Sequence, residues 1–311
     1  MLSIYRIDHI GQVVGDLEKQ VRLLEGLFGF RRTRAWESAE EGCRGVLLDV
    51  PGSWGQRWEV LSPLGEDSAY HAFLDGPLGP GLHHVAVQVT DLAAARKRLE
   101  ELAIDASENQ RWIDVPFAPP AGPAGIGFRI FAPPVLATCG DHGAPSGALE
   151  TPPSVAPNLG IVGIEQIGQA YPDREVLARW CEQAVGMREV YRTPDGQHSD
   201  MATLVLTIPG TQMRWELIAP VGEASFVQSF LNKRGAGAAH VTFEVRDFEQ
   251  AMAAAEHHGI PTFDLHEGET DGARWRDWFI HPRHTGGFLV QLFWEERPGV
   301  WSRSDKVPYR R

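Results

Sequence analysis

The chain has 311 residues, of which 43% are hydrophobic and 23% charged, with a formal net charge of −12. This length exceeds the usual size of a single-core domain and predicts two domains. The negative charge argues against a nucleic-acid partner, because phosphate backbones select basic surfaces. Three widely spaced cysteines without a CxxC pair predict reduced thiols in a cytoplasmic protein. No run approaches the roughly 18 apolar residues of a membrane span, so no membrane partner is expected.

A duplication organises the chain. The segment IDHIGQVV at 7–14 returns as IEQIGQAY at 164–171, and RWEVLSP at 57–63 returns as RWELIAP at 214–220, both at an offset of 157 residues. A third segment, GPGLHHVAVQVTDL, returns as GAGAAHVTFEVRDF. A repeat this regular predicts two copies of one folding unit.

The boundary between the copies is predicted from composition. Residues 138–157 are rich in Pro, Gly, Ala and Ser and lack hydrophobic periodicity, which is typical of a linker. We therefore predict an N-terminal domain over 1–137, a C-terminal domain over 158–298 and a polar tail over 299–311.

Each copy divides again into two similar modules. In each module a strand-like stretch ends at an aspartate, and an amphipathic run follows: Asp16, Asp91, Asp173 and Asp247. An aspartate before such a run predicts a helix N-cap. Short strand-like segments follow each predicted helix, which gives a strand–helix–strands unit four times. Helices that cover one side of a sheet leave the other side free to form a cavity.

The alternation of side chains shows what the free side carries. In the segment that starts at His84, valines 85, 87 and 89 share one face, and His84, Ala86 and Gln88 share the other. The second copy repeats this with Val241, Phe243 and Val245 against His240, Thr242 and Glu244. Polar residues collected on the open face predict a pocket.

The segments DHIGQVV, GPGLHHVAVQVTDL and HPRHTGGFLVQLF resemble the vicinal oxygen chelate superfamily, which includes glyoxalases, bleomycin resistance proteins and extradiol dioxygenases. Within it they are most similar to the methylmalonyl-CoA epimerases. The resemblance implies an α+β fold of four βαβββ modules paired into two domains. Each domain is then a curved mixed sheet that forms a cup with helices outside and can hold a divalent metal.

The resemblance also implies four ligand positions in each cup. The first cup offers His9, Glu59, His84 and Arg129. Two imidazoles and one carboxylate suit a divalent metal such as Zn, Mn, Fe, Co, Ni or Mg. Arginine cannot act as a ligand, so it could instead pair with Glu59 or bind a substrate carboxylate.

The second cup has a weaker donor set, with Gln166, Glu216, His240 and Gln291 at the same positions. The copies agree in the second and third positions and differ in the first and fourth. We therefore predict one working metal site, in the first cup. The second cup is expected to serve only for packing, or to bind a ligand without metal.

A catalytic base is expected at the rim of the first cup. The resemblance to the epimerases implies a glutamate just before the strand that precedes Glu59, and this region offers Glu40 and Glu41. A carboxylate there could remove a proton next to a carbonyl if burial raised its pKa.

Three functions follow as hypotheses, all with a small-molecule substrate or ligand. The first is a metal-dependent epimerase, isomerase or lyase that forms a metal-stabilised enolate by removing a proton next to a carbonyl or thioester. The second is an extradiol-type ring-cleaving dioxygenase, against which Gln166 and Gln291 argue. The third is a non-catalytic resistance or sequestration protein. We expect a monomer whose two copies form an internal pseudo-dimer, or a homodimer.

Overall fold

The computed structural model describes residues 2–53, 55–108, 111–116, 126–133, 156–194 and 200–298. The predicted tail 299–311 and all but the last two residues of the predicted linker 138–157 lie outside this part of the chain, so the domain boundaries remain predictions. None of the helices within the described residues is long and apolar enough to cross a membrane.

Within the described residues, the first copy forms one eight-stranded mixed sheet with three helices. Its strands are β1 (Ile4–Val13), β2 (Arg31–Ser38), β3 (Cys43–Asp49), β4 (Arg57–Pro63), β5 (Gly81–Val89), β6 (Ser107–Glu108), β7 (Trp112–Pro116) and β8 (Gly127–Phe131). Its helices are α1 (Leu17–Gly26), α2 (Ala69–Asp75) and α3 (Leu92–Glu101). The strand order is β2-β3-β4-β1-β5-β8-β7-β6, in which β1 lies parallel to β4 and antiparallel to β5.

The second copy repeats this topology. Its strands are β9 (Ile161–Ala170), β10 (Arg188–Arg192), β11 (Met201–Thr207), β12 (Arg214–Pro220), β13 (Gly237–Val245), β14 (Thr262–Thr270), β15 (Ala273–Ile280) and β16 (Leu289–Glu295), in the order β10-β11-β12-β9-β13-β16-β15-β14. Its α-helices are α4 (Arg174–Trp180), α5 (Phe226–Arg234) and α6 (Phe248–His257). A π-helical turn over Cys181–Val185 continues α4, and a 3-10 turn covers Pro282–His284. The predicted fold of four modules in two tandem domains is confirmed.

All four predicted caps start a helix. The side chains of Asp16, Asp91, Asp173 and Asp247 each accept a hydrogen bond from a backbone N–H in the first turn of α1, α3, α4 and α6. Two short helices were not predicted, α2 and α5. Their signal is a serine N-cap, because Ser68 and Ser225 accept backbone N–H bonds in the same way.

The two faces of each sheet differ as the alternation predicts. Val85, Val87 and Val89 belong to the main core, together with apolar residues of the helices. On the opposite, concave face Ala86 packs instead with Trp112 and Phe131. The concave face of the first sheet is called the first cup below, and that of the second sheet the second cup.

The two copies pack through reciprocal contacts. The backbone N–H of Leu2 donates to Ala184 across the interface, and that of Leu159 donates to Leu27, both at 2.8 Å. Leu2 and Leu159 occupy equivalent positions in the repeat, as do Leu27 and Ala184. Each bond is therefore the image of the other, as in a twofold-symmetric dimer.

Two tight turns, at Gly52 and Gly210, also make equivalent contacts with the other copy. A Cβ atom on Gly52 would lie 1.8 Å from the carbonyl oxygen of Val162, and one on Gly210 would lie 2.2 Å from that of Tyr5. Only glycine allows this approach of turn to strand. Since Tyr5 and Val162 are equivalent in the repeat, the chain contains an internal pseudo-dimer.

Candidate metal centre

The structure brings His9, Glu59 and His84 together on the inner face of the first cup. They lie on the adjacent strands β1, β4 and β5, and Gly11 of β1 is paired with both Glu59 and His84. Their exposed fractions are 0%, 0% and 2%. A Cβ atom at Gly11 would lie 2.2 Å from Cε1 of His84, so glycine leaves room for that imidazole to cross the strand.

A buried carboxylate orients His9. Nδ1 of His9 lies 2.9 Å from Oδ1 of Asp8. The same Oδ1 accepts from Arg57, and Oδ2 of Asp8 accepts from Arg6. Burial alone would raise the pKa of Asp8, but the bond to His9 and the charges of His9, Arg57 and Arg6 outweigh it and lower this pKa to about 2. An ionised carboxylate only accepts hydrogen bonds. A neutral His9 therefore carries its proton on Nδ1 and leaves a lone pair on Nε2.

The surroundings of His84 favour its neutral form. Burial lowers the pKa of His84 well below its usual value, and the charge of Arg129 lowers it further. The same two causes lower the pKa of His83 to about 4. The Nδ1 atoms of these neighbouring rings lie 3.0 Å apart, so one must donate to the other. When His84 donates, its Nε2 has a lone pair that can bind a metal.

The three side chains fit a divalent cation. Nε2 of His9 and Nε2 of His84 lie 3.7 and 3.4 Å from the same oxygen of Glu59, and the three ligand atoms lie within 4.8 Å of one another. Neither Nε2 has a hydrogen-bond partner among the described residues. A buried unsatisfied polar atom costs about 1–3 kcal/mol. A cation bound at roughly 2.0–2.2 Å from each ligand would remove that cost.

Asp8 was not predicted as part of the site, although it precedes His9 in the sequence. We expect Asp8→Asn to weaken metal binding about 10- to 100-fold, because it removes the ionised acceptor that fixes the His9 tautomer. Competition with a chromophoric chelator measures this affinity. Glu165→Gln, at the equivalent position of the second copy, is the matched control and should bind metal like the unmodified protein. Unchanged affinity in Asp8→Asn would contradict this role of Asp8.

Arg129 lies on β8, in register with Ala86 and therefore on the same face as His84. Its Nε and Nη2 donate to Asp114 at 2.9 and 3.4 Å. Asp114 was not among the partners predicted for Arg129, which were Glu59 and a substrate carboxylate. No sequence signal pointed to Asp114, because the amino-acid pattern does not determine the pairing of β7 with β8.

The two candidate bases lie in the turn between β2 and β3. Glu40 is exposed, whereas Glu41 is half-buried and forms an ion pair with Arg111. Arg111 directly precedes β7, near the opposite edge of the sheet from β2 and β3. This ion pair therefore joins the two sides of the curled sheet at the rim of the first cup.

In the second cup a hydrogen bond occupies the space between the ligand positions. Nε2 of Gln166 donates to Oε2 of Glu216 at 3.1 Å, and Nε2 of His240 lies 2.9 Å from the same oxygen, without hydrogen-bond geometry. An amide donor thus points to the carboxylate where His9 presents a lone pair in the first cup. This arrangement does not call for a cation.

The residue at the fourth ligand position of the second cup, Gln291, also forms hydrogen bonds with its neighbours. Gln291 accepts a hydrogen bond from Thr242 at 2.8 Å and donates to Asp277 at 2.7 Å. Burial raises the pKa of Asp277, although its bonds to Gln291 and His266 oppose the rise. The residues present do not fit the metal set of the first cup.

A cavity of about 750 Å³ lies between the two copies rather than at the cluster. Ile7 and Ile164, which are equivalent in the repeat, both line it, together with Gln56 and Met213. None of the three cluster residues does. The cluster, unlike this cavity, has the specific chemistry of metal-ligand atoms, and the cavity follows from the packing of the two copies.

Two curled sheets of equivalent topology, one with a buried His–Glu–His cluster, define a tandem cup-shaped protein with a candidate metal centre in one cup. The model of the Glyoxalase/Bleomycin resistance protein/Dioxygenase superfamily matches residues 8–113 and 165–276. The chain belongs to this superfamily.

The chain is similar to known epimerases over the length of one copy. The ethylmalonyl-CoA/methylmalonyl-CoA epimerase of Cereibacter sphaeroides is 31% identical over 98 residues, which cover 32% of this chain and 71% of that protein. The mitochondrial methylmalonyl-CoA epimerase of Homo sapiens is 28% identical over 102 residues, which cover 33% of this chain and 56% of that protein. These relatives are enzymes.

The whole tandem fold is similar to a solved structure. A triple mutant of 4-hydroxymandelate synthase from Streptomyces coelicolor superposes with a TM-score of 0.67 at 14% identity, covering 94% of this chain and 93% of that chain. At this identity the likeness establishes the fold alone.

Proposed function

We propose that the first cup is the active site of a metal-dependent epimerase, isomerase or lyase that removes a proton next to a carbonyl or thioester. The observation that carries the proposal is the convergence of His9, Glu59 and His84, whose buried imidazoles present unpartnered Nε2 atoms towards one carboxylate oxygen. A divalent metal bound there would supply a Lewis acid for the substrate oxygen.

The residues around the metal then have different roles. His9, Glu59 and His84 hold the ion, and Asp8 and His83 set the tautomers of the two imidazoles. The proton is removed by a carboxylate of the turn between β2 and β3. Glu41 and Glu40 are the two candidates, the first held at the rim by Arg111 and the second exposed.

Thioesters are the first substrates to test, because the epimerase relatives act on ethylmalonyl-CoA and methylmalonyl-CoA. The chain should be purified, analysed for metal, and incubated with each thioester in D₂O. Deuterium at the α-carbon, lost when a chelator removes the metal, supports the proposal. Absence of exchange with both thioesters in metal-loaded protein contradicts this substrate choice, and absence of metal contradicts the reaction class.

Two matched variants identify the base. We expect one of Glu40→Gln and Glu41→Gln to lower the exchange rate about 10²- to 10⁴-fold, the usual contribution of a general base, and the other to lower it much less. The initial rate of deuterium incorporation measures the effect. Metal content of both variants is the control. Two variants with the rate of the unmodified protein would show that the base lies elsewhere.

A specific observation also favours a second candidate. Two histidines and one carboxylate with open positions are the ligand set of non-haem Fe(II) oxygenases. Oxygen consumption by the Fe²⁺-loaded protein with a catechol would favour the ring-cleaving dioxygenase. A ligand that binds without turnover in either assay would favour the sequestration protein.

We infer that the protein works on small molecules in the cytoplasm and is complete as a monomer. Cys43 and Cys181 support the compartment, since both are buried free thiols. The reciprocal contacts between the copies support the monomer, because they already supply a dimer-like interface within one chain.

A further inference from the structure

The cavity of about 750 Å³ between the two copies is lined unequally by them. The first copy contributes residues of β1 and of the turn before β4, among them Arg6. The second copy contributes the equivalent segments and, in addition, the carboxyl ends of β13 and β16, where Glu244 and Glu295 lie. Ligand sites are often found between domains. The unequal walls show which half of this cavity has the groups to bind a ligand.

One difference between the copies accounts for the unequal walls. Arg6 of β1 is replaced by Gly163 at the equivalent position of β9. Arg6 is paired in register with Gln88, and its Nε donates to Oε1 of Gln88 at 2.8 Å. Its Nη2 donates to Oδ2 of Asp8 at 2.6 Å. The guanidinium of Arg6 therefore joins an amide and a carboxylate of the first copy.

The second copy keeps acceptors around this position but lacks the guanidinium. Gly163 is paired in register with Glu244, and Glu165 takes the place of Asp8. Glu244 is 5% exposed, and the side chain of Glu165 is 13% exposed. Apart from its chain neighbours, the nearest described atom to a Cβ built on Gly163 is Oε1 of Glu165, at 3.9 Å. The place of the arginine side chain is therefore open.

The replacement also reverses the local charge. At the four equivalent positions the first copy has two guanidinia and one carboxylate, whereas the second has one guanidinium, Arg214, and two carboxylates, Glu165 and Glu244. Nη1 of Arg214 lies 3.9 Å from Oε2 of Glu165. Glu295 and Arg246 also line the cavity, but their opposite charges leave this balance unchanged. Burial of excess negative charge costs free energy, which a cation in the cavity would offset.

We propose that the cavity between the copies is a second ligand site, which binds a small molecule with a guanidinium or amidinium head group and an apolar body. The head group takes the place that the Arg6 guanidinium has in the first copy. Glu165 and Glu244 accept its hydrogen bonds, because a planar charged fork matches the geometry of a carboxylate. The apolar body lies against Ile164 and Met213. None of the three cluster residues lines this cavity, so the site is separate from the candidate metal centre.

Calorimetric titration of the metal-free protein with benzamidine and with its neutral analogue benzamide tests the proposal. We expect benzamidine to bind, and benzamide to bind at least about 10-fold more weakly, the size of one charge-assisted hydrogen bond. Glu244→Gln, which introduces the first copy's residue, should lower the benzamidine affinity at least about 10-fold. Glu256→Gln changes an exposed carboxylate of α6 outside the cavity lining and is the matched control. It should bind benzamidine like the unmodified protein.

Gly163→Arg tests whether the site is the open place of an arginine. Its tethered guanidinium should occupy the site, so the benzamidine affinity should fall more than about 100-fold. Absence of benzamidine binding, equal affinity for benzamide, or unchanged benzamidine binding in Glu244→Gln or in folded Gly163→Arg overturns the proposal. Should Gly163→Arg fail to fold, Glu244→Gln and the benzamide comparison still decide. Because the protein is metal-free, the outcome does not depend on the proposed reaction.

Discussion

Replacing His9 by alanine should abolish metal binding, whereas replacing His240 by alanine should leave one metal ion per chain. His9 supplies an oriented lone pair to the cluster in the first cup, while His240 lies in a cup where Gln166 already donates to the carboxylate. Replacing a residue that only hydrogen-bonds a metal ligand typically lowers metal affinity about 10- to 100-fold. Loss of the ligand itself should have a larger effect, so we expect metal affinity to decrease more than about 100-fold. Elemental analysis of the dialysed proteins measures the stoichiometry.

The paired design makes the result decisive. Both variants remove one buried imidazole, from β1 of the first cup and from β13 of the second, so a general loss of stability should appear in both thermal melts. Metal retained in His9→Ala and lost in His240→Ala would reverse the assignment of the working cup. Metal lost in both would show that the two cups depend on each other.

The second large effect is expected when one methyl group is added at a glycine that lies against a histidine ring of the cup. Gly11→Ala would place its Cβ 2.2 Å from the ring of His84, and Gly168→Ala would place its Cβ 2.1 Å from the ring of His240. Each ring must move, at a cost of about 1–3 kcal/mol. Displacement of His84 removes a metal ligand, so Gly11→Ala should lose metal and α-proton exchange, and Gly168→Ala should lose neither.

This comparison separates strain from function. Thermal melting of the metal-free proteins should show a similar decrease in both variants, because the two contacts are nearly the same. A Gly11→Ala protein with full metal content would mean that His84 is not needed as a ligand. Metal loss in Gly168→Ala alone would indicate that the second cup is the working one.

The sequence predicted the fold because the relevant signals are local or repeated. Asp16, Asp91, Asp173 and Asp247 cap their helices through contacts within three residues of themselves. The alternation around His84 depends only on the two-residue period of a strand. Helices α2 and α5 escaped prediction because a serine cap is their only local signal.

The cluster residues, but not the side chains around them, could be predicted from the sequence. His9, Glu59 and His84 were named from the repeat and the resemblance, and the structure brings them together. The ion pairs Arg129–Asp114 and Glu41–Arg111 join residues that are 15 and 70 positions apart. Such pairs depend on strand register and on sheet curvature, neither of which the amino-acid pattern determines.

The difference between the two cups also depends on the orientation of a side chain, which the sequence does not determine. The change from His9 to Gln166 was visible in the sequence, but its effect was not. Only the structure shows that the amide of Gln166 turns its N–H towards Glu216 and so takes up the acceptor that a cation would use. The choice between a weak metal site and a metal-free site required that orientation.

The reciprocal turns at Gly52 and Gly210 have a consequence for how such a protein can change over time. In an assembly of two identical chains, every substitution is made twice, so both cups must accept it. Here the partners are joined in one polypeptide and stay together at any dilution. Residue 166 can therefore become glutamine while residue 9 stays histidine, and each cup can be substituted independently of the other.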